Sequence, residues 1–200
     1  MKINILEVEN RLSSLCRQEK IIYLNFLSDA NTAELGGEVE VSYLLKPVYD
    51  EESEKDILPF DGIKKTIFLL RCVDDKNAVL SFCADIAESV IHLYDGEDSY
   101  VRDCIDNLRL FINGDVDENE LKAFRMIATN KAKLLNDGPS KHAAFSAINA
   151  CYAAEQVSGE CYCSPNSVVD CAILAQSDTK TEEEKLVLIH DLLMQSYGVI

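Results

Sequence analysis

A mainly α-helical bundle, or a short stack of helical repeats, is what this sequence predicts for residues 74–200, with a small mixed α/β segment over residues 1–73 before it. Three observations predict that architecture. From residue 75 onward apolar residues recur at three-and-four spacing, residues that cap helices stand at the ends of each such stretch, and no strand-like alternation intervenes. Six helices joined by short turns then bury their apolar stripes against one another.

In the N-terminal segment, residues 5–27 read as one broken helix carrying Leu6, Leu12, Leu15 and Cys16, although residues 21–27 suit a strand equally well. Gly36 and Gly37 break the chain before residues 38–43, where charge and bulk alternate as on a half-exposed strand. A second strand is expected at residues 66–70. Between the two, Asp50, Glu51, Glu52, Glu54 and Asp56 form an acidic stretch with one Lys55, most simply a solvated loop.

The first bundle helix spans residues 75–94, with Val79, Phe82, Cys83, Ile86, Val90, Leu93 and Tyr94 on one stripe and Gly96 available to end it in a left-handed conformation. Ser99 is placed to cap a second helix carrying Val101, Cys104, Ile105, Leu108, Phe111 and Ile112, and Gly114 closes it. Asp117 and Glu120 form a reciprocal capping box for a third, whose stripe is Leu121, Phe124, Ile127, Ala128 and Leu135. Gly138 and Pro139 are expected to stop that helix, and Ser140 to open a fourth. The fourth is rich in alanine (Ala143, Ala144, Ala147, Ala150, Ala153, Ala154), so it suits the centre of the bundle, close against several neighbours. Pro165 starts a fifth helix, since an N-terminal amide would be unpaired there in any case. Thr181 and Glu184 form a second capping box for a sixth, with Leu186, Ile189, Leu193 and Met194 apolar.

Acidic residues number 35 against 19 basic ones in 200 residues, a formal charge of -16. Such a surface repels phosphate backbones and anionic lipid heads, so neither direct nucleic-acid binding nor a membrane surface is expected. It suits a basic protein partner, because complementary potential speeds encounter; a plain contribution to solubility explains it as well. No stretch reaches the ~20 consecutive apolar residues that span a bilayer. The N-terminal residues show no basic stretch leading into a long apolar one, so a reducing, cytoplasmic compartment is expected. In that setting Cys16, Cys72, Cys83, Cys104, Cys151 and Cys171, all among apolar neighbours, read as small buried hydrophobes.

Chemistry-bearing motifs are scarce. Cys161 and Cys163 flank Tyr162, with Cys151, Cys171 and His142 near in sequence, but a lone Cys-x-Cys departs from zinc-ligand spacing and nothing nearby is basic enough to activate a thiol. Asn113, Asp115, Asp117 and Asn119 alternate like calcium ligands, yet Glu120 and Met126 stand where such a loop needs glycine and glutamate. His92, His142 and His190 fall in helices without a nucleophile in register. No phosphate loop, nucleophile elbow or dinucleotide fingerprint occurs. Hence no catalytic residue, metal ligand or cofactor is nominated, and a small enzyme without a recognisable motif is kept only as an alternative.

The segments that contain residues 83–94 (CADIAESVIHLY), residues 105–114 (IDNLRLFING) and the alanine-rich helix ending in residues 150–154 (ACYAA) resemble, in that order, the immunity-five-like family of immunity proteins. The resemblance covers residues 74–198, and residues 1–73 have no counterpart in it. It implies an all-helical protein of bacterial polymorphic toxin systems, with relatives on phages and mobile elements, that neutralises a toxin by binding it; no catalytic residue comes with it. A binding protein of this charge is also suited to inhibit a host defence enzyme that handles nucleic acid, since carboxylates spaced like phosphates occupy a basic groove.

The expected contact residues are Tyr49, Asp50, Glu51, Glu52, Glu54 and Asp56, the densest charge in the chain beside an aromatic. Tyr43 and Tyr100 are further aromatics near acidic segments. The turns at residues 95–98 and 115–120 are the second choice.

Overall fold

The computed structural model describes residues 2–4, 38–40, 48–51, 55–57, 76–155, 165–176 and 180–197. Six α-helices follow in order: α1 (Lys76–Val90), α2 (Tyr100–Asn113), α3 (Glu118–Ala132), α4 (Pro139–Glu155), α5 (Pro165–Ala175) and α6 (Glu182–Tyr197). They form a helical bundle, the class the apolar spacing predicts. The helix read over residues 5–27 and the strand over residues 66–70 lie outside the described residues.

The alanine-rich α4 is the centre of the bundle and packs against α1, α2, α3 and α5, while α6 lies against α1 and α5. Its side chains explain the position. Ala143, Ala144, Ala147, Ala150 and Ala154 are fully buried, and small residues let helix axes approach at the short end of the usual 8–10 Å range. Polar groups on α4 are paired across these close contacts. The buried Ser146 hydroxyl donates to the Val168 carbonyl on α5 at 3.0 Å, and the Cys151 thiol donates to the Cys104 carbonyl on α2 at 3.0 Å.

A hydrogen bond with Cys104 and then burial push the Cys151 thiol well above its ordinary range, so it is held as an unreactive thiol. Cys83, Cys104 and Cys151 are buried thiols, as small hydrophobes are, and Cys171 is partly buried. Cys16, Cys72, Cys161 and Cys163 lie outside the described residues.

Helix α1 is buried more completely than one stripe requires. Leu80, Ala84 and Ala87 are buried along with the predicted Val79, Phe82, Cys83, Ile86 and Val90, because α2, α4, α5 and α6 all press on it. Arg109 on α2 bridges to Asp85 and Glu88 on its outer edge.

Helix ends follow the predicted chemistry in some places and depart from it in others. The Asp117 carboxylate accepts from the amides of Asn119 and Glu120 while Glu120 accepts from the Asp117 amide, and Thr181 and Glu184 bond reciprocally in the same way. Gly114 closes α2 at φ 84°. By contrast, α1 ends at Val90 and passes through a 3-10 turn, Ile91–Leu93, before Gly96 is reached. Glycine is needed at position 96 for space: a Cβ there would collide with the ring and hydroxyl of Tyr94. Ser99 gives its hydroxyl to the Asp103 carboxylate at 2.8 Å and makes no cap bond. Pro139 is the first residue of α4, and α3 has already ended at Ala132. Proline favours that starting position because it surrenders no needed amide.

Tyr94 seals one end of the bundle. It is 3% exposed, its hydroxyl donates to Asp98 Oδ1 at 3.2 Å, and Arg102 donates to its carbonyl at 2.9 Å. Ser140 at the start of α4 bonds both ways with Asp95, and Lys131 at the end of α3 pairs with Asp98 at 3.4 Å, so this end ties four helices together. Burial, then the Asp98 carboxylate, pushes the Tyr94 phenol up to about 12. The folded state therefore holds a proton that the unfolded chain releases near pH 10, and stability should fall as pH rises from about 10 to 12. Denaturant melts at pH 9 and pH 11 check this; a Tyr94→Phe variant that keeps the same alkaline loss would assign it to another group.

Two antiparallel strand pairs are described in the N-terminal segment. β1 (Lys2–Asn4) pairs with β2 (Glu38–Glu40), and β3 (Val48–Asp50) pairs with β4 (Lys55–Ile57). Residues 38–40 are thus in a strand as expected, with a partner some three dozen residues earlier that local pattern does not reveal.

Candidate functional site

Within the expected contact segment, Tyr49 and Asp50 stand in β3 and Asp56 in β4, paired antiparallel where a solvated loop is the simplest expectation. β3 and β4 are joined by residues 51–54, and their register sets Tyr49 opposite Asp56 and Asp50 opposite Lys55. Glu51 is an exposed turn residue, whereas Glu52 and Glu54 lie outside the described residues. Three-residue strands are too short to show a period of two, so charge density hid them. Tyr43 also lies outside the described residues, and Tyr100 is 36% exposed at the start of α2. The second-choice turns stand at opposite ends of α2, about 21 Å apart at 1.5 Å per residue, and cannot form one patch.

A different surface stands out on α3. Leu121, Ala128 and Ala132 bury its inner face. On the outer face, continued into the turn that ends the helix, Met126, Ile127 and Leu134 are 52%, 39% and 82% exposed. Ile127 therefore does not belong to the core stripe expected of it: 120° of rotation separates it from Leu121's face once Ala128 and Ala132 are seated there. Ala123, Ile127, Asn130 and Leu134 follow one another at four, three and four residues, the spacing of a helix-packing seam.

Beside that seam runs an open cleft of about 380 Å³, lined among the described residues by Lys122, Arg125, Met126, Thr129, Asn130 and Lys133. Arg125 forms its firm wall. Its guanidinium donates through Nε and Nη2 to the two carboxylate oxygens of Glu155 on α4 and lies 4.3 Å over the Tyr152 ring. Both charged side chains are 12% exposed. The Thr129 hydroxyl is turned back onto the Arg125 carbonyl at 2.7 Å. Lys122 and Lys133, in contrast, form no ion pair with a described residue. In a chain of charge -16 this is a locally cationic, partly apolar strip.

No family model matches the chain, and neither a curated protein nor a solved structure is found similar to it. The functional reading therefore rests on the molecule's own surfaces.

Other candidate chemistry is thin among the described residues. No group of three His, Cys, Asp or Glu side chains is placed to hold a metal ion, and no helix is long and apolar enough to cross a membrane. His190 sits 3.6 Å from Asp191, and His92 is exposed in the 3-10 turn. A sequence signal for the α3 surface did exist. Apolar residues fall on both sides of that helix, and Met126 and Leu134 find no place in its inner stripe.

Proposed function

We propose that the chain is a non-catalytic protein-binding inhibitor, an immunity protein that neutralises a toxin by direct contact. The observation that carries this reading is the outer face of α3. Scattered exposed apolar side chains are ordinary, but Met126, Ile127 and Leu134 share one helix face beside a cleft, which marks a surface made to be covered. Arg125, held over the Tyr152 ring and against Glu155, gives the cleft a fixed basic wall, the kind of rigid group that protein interfaces favour. The order of the sequence segments that resemble the immunity-five-like family supports the same role.

The formal charge of -16 supports a second reading, an acidic inhibitor from a phage or mobile element that occupies the basic groove of a host enzyme acting on nucleic acid. One comparison separates them. The product of a toxin gene adjacent to this one should be bound in a stoichiometric complex and its toxicity relieved, and Met126→Asp with Leu134→Asp should weaken that complex roughly tenfold or more. Inhibition of a DNA- or RNA-handling defence enzyme, with no effect on the toxin, would replace the first reading by the second. Turnover of a metabolite by the purified chain would overturn both.

A further inference from the structure

We infer that the outer face of α3 receives an amphipathic helix of the partner protein whose apolar stripe is flanked by acidic residues. The inference deepens the protein-binding reading and rests on it. Its occupant is defined by shape first. The seam Ala123, Ile127, Asn130, Leu134 repeats at the four-three-four spacing by which one helix receives another lengthwise, and Met126 borders it on the side of the cleft. From residue 123 to residue 134 the seam runs about 16 Å, or three turns, which sets the length of the partner helix at roughly eleven residues.

Charge then defines the flanks. Lys122 and Lys133 lie along one border of the seam, an axial distance of about 16 Å apart, and neither is paired with a described residue. At physiological salt potentials decay over about 8 Å, so these two lysines weigh more at the mouth of the cleft than carboxylates elsewhere on the chain, Glu118 and Glu120 in the first turn of α3 being the acidic groups near one of them. Carboxylates on the incoming helix, three turns apart, meet them as flanking charges do in paired helices. Arg125 adds little to this attraction because Glu155 already holds its charge. The sign of the recognised element is thus the reverse of what the net charge of the chain suggests.

A second copy of the chain is the poorer occupant. Two α3 seams laid antiparallel would bring Lys122 of each copy toward Lys133 of the other, between molecules that each carry a formal charge of -16.

Two synthetic fourteen-residue peptides with the same leucine stripe, one flanked by glutamate and one by lysine, test the assignment on the full chain by fluorescence anisotropy and amide chemical-shift mapping. The glutamate peptide should bind with shifts concentrated on α3, and Lys122→Glu with Lys133→Glu should weaken it roughly tenfold or more. Leu134→Asp should weaken it too while leaving helicity unchanged. Equal or tighter binding of the lysine peptide to α3, binding of neither peptide, or concentration-dependent dimerisation through Leu134 in sedimentation would each overturn it. The parent reading fails differently: a chain that takes the glutamate peptide but relieves no toxin keeps this inference and loses the proposed role, whereas one that relieves a toxin but ignores both peptides does the converse.

Discussion

Phe82→Ala is expected to remove about 3–5 kcal/mol of folding stability, the largest loss of any single truncation in the bundle. Phe82 is 1% exposed and heads the fully buried large side chains, in a helix that meets α2, α4, α5 and α6. Helix α4, one of the four packed on α1, buries mostly alanines, which have little side-chain length with which to fill a vacated ring. The cavity term is accordingly retained in full alongside the lost transfer energy. For a chain of this size the melting temperature should fall by roughly 10 °C. Leu134→Ala, at 82% exposure, is the matched control and should shift stability by less than about 0.5 kcal/mol. Comparable losses for the two variants would mean that the α1 core is not sealed as described.

Arg125→Met is the second large effect, at about 3 kcal/mol. Arg125 and Glu155 are each 12% exposed, and the guanidinium satisfies both carboxylate oxygens while stacking on Tyr152. Removing the cation leaves a carboxylate in a poorly hydrated place and forfeits a cation–π contact as well. The arginine also shapes the cleft, so shape and stability fall together. The double variant Arg125→Met with Glu155→Met should recover much of the loss, because an apolar pair of similar volume carries no desolvation penalty. Raised salt should change the single variant's deficit little, as a pair so enclosed is poorly screened. Additive losses in the double variant would show that the two residues act through separate partners.

What could be read from the chain beforehand was local chemistry with local consequences. Asp117 with Glu120 and Thr181 with Glu184 place two helix starts correctly because each box is complete within four residues. Gly114 ends α2 for a reason contained in its own backbone. The centrality of α4 is legible because six alanines in one helix have no other efficient use. Features that depend on distant neighbours were not legible in this way. Gly96 is demanded by the ring of Tyr94 lying over it, which no pattern of spacing conveys. Ser99 had a carboxylate at Asp103 to prefer over a backbone amide. Ile127 has helical spacing to Phe124 and so looks like core until the rotation of α3 is fixed by Leu121, Ala128 and Ala132. The acidic hairpin was hidden by strands of three residues, and its side chains at Glu52 and Glu54 lie outside the described residues.

The placement of α4 at the middle of the bundle also dictates an order of events during synthesis. α1 is finished at residue 90, yet the helix it needs for burial is not complete until residue 155. At about 5–20 residues per second the ribosome takes roughly 3–13 s to cover that interval. Throughout it the apolar faces of α1, α2 and the inner side of α3 emerge without their common partner. Its arrival gives α1, α2 and α3 their shared partner, while the parts of α1 that meet α5 and α6 wait for the rest of the chain.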